Sequence, residues 1–66
     1  MTTVNNTNGK AIDFEAAVNL MDDEIRETLA NDGNERTEQE FFSAYEKAHE
    51  AKYGEEWELS KANPVW

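Results

Sequence analysis

Apolar residues recur at steps of three and four in two stretches of this chain, and a run of turn-formers separates them. That spacing commits the sequence to helices first. Phe14, Ala17, Val18, Met21, Ile25 and Leu29 line one side of residues 13–30, the 3.6-residue period of a helix with one buried face. Asp13 is placed to cap its N-terminus, and Glu15 lies in the first turn, where the helix dipole favours an anion. Opposite the stripe fall Glu15, Asp22, Asp23, Arg26 and Glu27, while Leu20 sits off its centre. Asn31, Asp32, Gly33 and Asn34 then supply four turn-favouring residues in succession, and Gly33 suits the left-handed backbone that follows a helix.

The second helix carries a sharper start. Thr37-Glu38-Gln39-Glu40 has the capping-box spacing, in which a threonine hydroxyl and a glutamate three residues on satisfy each other's backbone N–H. Phe41, Phe42, Tyr45, Ala48, His49 and Lys52 or Tyr53 continue the period, and Gly54 is a natural terminator, so a helix is predicted over residues 38–53. The expected fold class is mainly α: an antiparallel helix hairpin in residues 13–59, with a short extended segment where Trp57 and Leu59 alternate with Glu56, Glu58 and Ser60. Residues 1–12, rich in Asn and Thr, are expected to be a disordered leader, and residues 60–66 a C-terminal tail interrupted by Pro64.

Size sharpens the expectation. A chain of 66 residues buries only about 60% of the surface its unfolded form exposes. With no cysteine neither disulfides nor thiolate zinc sites are available to brace it. A homodimer in a four-helix arrangement would bury more of the apolar faces. No apolar run approaches the roughly 20 residues that cross a bilayer, and the opening residues lack the basic and apolar regions of a secretory signal. A cytoplasmic location is therefore expected.

Charge limits the partner. Fifteen acidic residues against six basic ones give a formal net charge of −9, which repels nucleic acid and anionic membranes and steers the chain towards basic protein surfaces. Solubility alone accounts for net charges of about 2–8 in magnitude on small domains, and this chain lies just beyond. Asp23 and Glu27, like Glu46 and Glu50, stand one helical turn apart. Like charges at that spacing destabilise an isolated helix by a few tenths of a kcal/mol, and a cationic partner would relieve them. Asp22 and Arg26 are spaced to pair.

Constellations for catalysis do not assemble. His49-Glu50 opens like a zinc-protease helix motif, but Tyr53 occupies the second histidine position. The loop at Asn31 to Glu35 lacks the register of a calcium loop. Ser43 and His49 fall on different helix faces, against a nucleophile–base pair. No enzyme activity, metal or cofactor is expected. Among the aromatics, Phe41, Tyr45 and Trp57 are candidate interface anchors, with Trp66. For Phe42 and Trp57, completing the core is the equal alternative.

The stretches Asp13-Phe-Glu-Ala-Ala-Val-Asn-Leu-Met-Asp-Asp-Glu-Ile-Arg and Thr37-Glu-Gln-Glu-Phe-Phe-Ser-Ala-Tyr-Glu-Lys-Ala-His-Glu resemble segments of small acidic proteins of bacterial phages and mobile elements. Anti-CRISPR and anti-restriction proteins belong to that group. The resemblance implies a stoichiometric inhibitor without a cofactor and transfers no individual site residue. The sequence thus points to an acidic inhibitor that mimics nucleic acid on a basic protein surface, through Glu15, Asp22, Asp23, Glu27, Glu46, Glu50, Phe41, Tyr45 and Trp57. The competing expectation is a homodimeric adaptor that binds through its apolar and aromatic face.

Overall fold

A computed structural model describes residues 2–63. Its order is β1 (Thr3–Asn5), β2 (Ala11–Asp13), α1 (Phe14–Leu20), α2 (Asp23–Ala30), α3 (Glu38–Tyr53) and α4 (Glu58–Lys61). The protein is mostly helical, as expected, and a two-stranded antiparallel sheet forms where residues 1–12 are expected to be a disordered leader, its second strand reaching Asp13.

Val4 and Ile12 explain the strands. They face each other in the register Thr3↔Asp13, Val4↔Ile12, Asn5↔Ala11 and are both buried, while Thr3, Asn5 and Ala11 face outward. That alternation is too short to register as a period. Asn6 holds the turn: its side-chain oxygen accepts from the N–H of Asn8 (3.0 Å) and of Lys10 (2.8 Å). Its Nδ2 donates to the carbonyls of Leu59 (2.7 Å) and Ala62 (2.8 Å), so one buried amide ties the turn to α4. Gln39 of α3 meets the outer side of β1, accepting from the Asn5 N–H (2.8 Å) and donating to its carbonyl (2.9 Å). Those groups would otherwise be open sheet edge.

The predicted helix over 13–30 is two helices. Met21 and Asp22 are both extended, and Asp22 caps α2 by accepting from the Ile25 N–H at 3.2 Å. Asp22, Asp23 and Glu24 place anionic groups where a helix dipole favours them, at a new N-terminus. Arg26 accordingly pairs with Asp23 (2.9 Å) and not with Asp22. The apolar stripe survives the break: Ala17, Met21 and Ile25 are buried, Phe14, Val18 and Leu29 pack against them, and Leu20 is 63% exposed.

The helix α3 matches its prediction residue for residue. Thr37 and Glu40 form the reciprocal capping box (3.2 and 3.0 Å), and Gly54 closes the helix at φ +73° with its N–H on the Glu50 carbonyl. Its buried face carries Phe42 and Tyr45, and Trp57 closes over both at ring separations of 5.5 and 4.4 Å. The segment expected to be extended turns instead into α4, which follows Trp57 as its N-cap, because burying the indole against α3 and satisfying the Leu59 and Ala62 carbonyls through Asn6 favour a helical turn there. Pro64 and Trp66 lie outside the described residues.

Two substitutions test this packing by denaturant unfolding. Tyr45→Phe leaves the Asp22 N–H without the hydroxyl that accepts from it at 2.7 Å, an expected loss of about 1–3 kcal/mol. Trp57→Ala opens a cavity under α4 at an expected loss of about 3–5 kcal/mol, enough to unfold much of so small a domain.

Candidate partner-binding surface

The structure divides the acidic side chains into those the fold uses and those it leaves free. Asp22 belongs wholly to the fold. Beyond capping α2, its carboxylate accepts from the Tyr53 hydroxyl (2.8 Å) and from Lys52 Nζ (3.0 Å), while its backbone N–H donates to Tyr45. Those bonds, Tyr53 first and then Lys52 and the Ile25 N–H, hold its carboxyl at about 2 instead of the usual 3.8. The same contacts push the Lys52 ammonium and the Tyr53 phenol upward. Glu24 shares Lys52 at 3.1 Å, and Asp23 is engaged by Arg26. Asp32 forms a two-bond pair with Arg36 (2.9 and 2.7 Å), which keeps its carboxyl well below the ordinary range, and Arg36 also donates to the Leu29 carbonyl at the end of α2.

Two of the expected aromatic anchors are part of the core. Tyr45 is 1% and Trp57 5% exposed, both within the one core cluster that Met21 and Ile25 share with the apolar face of α3. Neither is available to a partner. Phe41 keeps access: it meets Phe14 edge-on at 6.1 Å and lines an apolar recess of about 380 Å³ with Phe14 and Val18, bordered by Arg26 and Arg36. His49 packs beside Tyr45, Tyr53 and Trp57, with Nδ1 3.1 Å from the Glu55 carbonyl, so Nδ1 carries the hydrogen there.

Another set of acids forms no salt bridge with any described cation. Glu15 and Glu27 are exposed, and among the described residues no Lys, Arg or His lies within ion-pair distance of either. Glu46 and Glu50 stand one turn apart on α3, about 6 Å along its axis. They line a groove of about 610 Å³ between the β1–β2 turn and α4. Glu56 faces the same groove from the connection to α4, and Ser60 contributes from α4 itself. Glu46 accepts from the Thr7 hydroxyl at 3.2 Å. No salt bridge reaches Glu46, Glu50 or Glu56 from any described cation, although Lys47 lines the same groove.

Of the nine residues expected to bind a partner, the structure thus gathers Glu46 and Glu50 into one groove, leaves Glu15, Glu27 and Phe41 accessible elsewhere, pairs Asp23 internally, and commits Asp22, Tyr45 and Trp57 to the fold. Glu56 and Ser60 line the groove with Glu46 and Glu50 although neither is among the nine. Their position depends on the helical turn of α4, which the two-residue alternation around Trp57 concealed. Among the described residues no helix is long and apolar enough to cross a membrane.

The model of the family described as Anti-CRISPR protein AcrIC5 matches residues 5–57, which include all of β2, α1, α2 and α3. No curated protein matches the chain at a significant level.

The depressed carboxyl of Asp22 gives a pH signature. A carboxyl held below its unfolded value stabilises the fold above that value and loses its contribution as pH falls through the folded one. Asp22→Asn is therefore expected to melt at a lower temperature than the parent at neutral pH. The gap should narrow between pH 3.8 and about 2, measured as melting temperature by circular dichroism across that range.

Proposed function

The chain belongs to the anti-CRISPR protein AcrIC5 family, and on that premise we propose that it is a non-catalytic inhibitor acting in the bacterial cytoplasm, which occupies a basic, nucleic-acid-binding surface of a CRISPR–Cas protein. The observation that carries this reading is the division of charge. Every cation that forms a salt bridge is spent on Asp22, Asp23, Glu24 or Asp32, leaving Glu15, Glu27, Glu46, Glu50 and Glu56 uncompensated on the surface. Carboxylates repeated along a helix present a target's Lys and Arg side chains with anionic oxygens of the kind a nucleic-acid backbone offers. The formal charge of −9 supplies long-range steering to such a surface. Phe41 adds one accessible aromatic contact, in the separate recess that it shares with Phe14 and Val18.

A second reading rests on the recess at Phe14, Val18 and Phe41 together with exposed Leu20: association of two copies through their apolar faces. It calls for a species of twice the chain mass in sedimentation that persists at high salt.

The inhibitor reading is tested by capture of CRISPR–Cas proteins from a bacterial lysate at about 0.1 M and about 0.5 M salt, followed by competition with the captured protein's nucleic acid. Capture is expected to fall steeply with salt and to be displaced by nucleic acid. Glu27→Gln with Glu46→Gln and Glu50→Gln should weaken it about tenfold or more without unfolding the protein. Capture that is indifferent to salt and to nucleic acid overturns the reading.

A further inference from the structure

We propose that Asn8-Gly9, in the turn between β1 and β2, is a self-modification site: the Asn8 amide is lost by cyclisation onto the backbone, at a rate set by the docking of α4. Of the seven asparagines only Asn8 precedes a glycine. Glycine has no Cβ to crowd the ring that cyclisation forms, and its backbone is the least restricted. The other six precede residues that carry a Cβ, and Pro64 after Asn63 has no N–H to react. Asn8 and Gly9 are both exposed, so solvent reaches the pair.

The step balances with water as its only co-reactant. The Gly9 nitrogen attacks Asn8 Cγ, and the new N–Cγ bond replaces Cγ–Nδ2. The Gly9 proton passes through solvent and leaves with Nδ2 as ammonia. Water then opens the succinimide at either carbonyl carbon, giving aspartate or its β-linked isomer, and nothing is oxidised or reduced.

Two sets of hydrogen bonds hold the reacting groups off this path. The Gly9 N–H donates to the Asn6 carbonyl at 3.0 Å, which closes the turn and occupies the nucleophile. Asn8 Nδ2, the leaving group, donates to the carbonyls of Lys61 (3.1 Å) and Ala62 (3.3 Å) at the end of α4. Reaction therefore follows local opening of the turn and of α4, which at 4 residues is a short element with little to resist opening. Once it has happened, the bonds to α4 cannot re-form. Aspartate brings only acceptors to the two carbonyl oxygens. The β-linked product also lengthens the backbone between the N–H groups of Asn8 and Lys10, which the Asn6 side chain holds at 3.0 and 2.8 Å. Asp32-Gly33 is not equivalent. Two bonds from Arg36 and one from the Asn34 N–H keep its carboxylate ionised, and an ionised carboxylate is a poor target for a backbone nitrogen.

The test incubates the full chain at neutral and mildly alkaline pH, folded and in guanidinium chloride. Residue 8 is followed by peptide mass spectrometry with the two isomers separated. Conversion is expected at Asn8 and not at the other asparagines, faster at the higher pH because the Gly9 nitrogen must give up its proton. It should be slower in the folded chain by about tenfold to a thousandfold, as for a site reached through local opening. Asn8→Ser, which has no amide to lose, should show no conversion at residue 8. Asn8→Asp reproduces one product directly. Amide exchange at Ser60 and Lys61, whose N–H groups bond the Trp57 carbonyl, should quicken about tenfold in that variant while the middle of α3 is unchanged. Equal rates in the folded and unfolded chain, no folded-state product within that range, conversion spread over other asparagines, or unaltered exchange in Asn8→Asp overturns the proposal.

Discussion

The rest of the structure depends on the junction at Asp22. Its N–H is held by the Tyr45 hydroxyl, and its carboxylate gathers the Ile25 N–H, Lys52 and the Tyr53 hydroxyl. Four bonds at one residue fix where α1 stops, where α2 starts, and which end of α3 the start of α2 meets. At the far end of α2, Arg36 bonds the Leu29 carbonyl and Asp32 just before α3 begins. With α2 pinned at both ends, Ile25 and Met21 are set over the face of α3 that carries Phe42 and Tyr45. Polar bonds thus position a core too small to define its own geometry by apolar packing alone.

The same junction explains what was readable in the chain and what was not. Helix α3 was legible to the residue because its start and stop signals are local: a capping box within four residues and a glycine at the αL position. The apolar face of residues 14–29 was legible for the same reason. The break within it was not, since the period of the stripe runs through Met21 without interruption. A signal was nonetheless present in Asp22-Asp23-Glu24, three acids in succession, which suit a helix start better than a helix middle. The strand pair escaped because each strand buries one side chain, and its register is set by Asn6 and Gln39 bonding to residues more than thirty positions away. The alternation of Trp57 and Leu59 with polar residues did not distinguish one turn of helix from a short strand, which bury the same two residues, and the contact with Asn6 separates them.

Burial also sorted the candidate surface in a way composition does not. Sequence treats all fifteen acids alike. In the folded chain, Asp22, Asp23, Glu24, Asp32 and Glu40 are drawn into caps and ion pairs near helix ends, where unsatisfied backbone groups and several of the available cations lie. Those in the middle of α3, or on the outward face of α2 and α1, have neither and stay free. The acids of greatest local structural consequence are consequently poor candidates for contact with a partner, and the free ones are left by elimination. Aromatic residues follow the opposite logic. Tyr45 and Trp57 are drawn inward by the shortage of apolar area, and of the three expected anchors only Phe41 keeps access to the surface.

A surface defined in this way is held in place before any partner arrives. The acids of α3 ride on the most firmly capped helix in the chain, and the groove beside them has walls from the strand turn and from α4, joined through Asn6. Binding then orders side chains and not backbone, which keeps the entropic cost of association low. For the proposed antagonist of a nucleic-acid-binding surface, affinity would come from a few charged contacts against competition from a long polyanion. A short chain achieves this best when its free carboxylates are fixed by the same internal bonds that hold its small core.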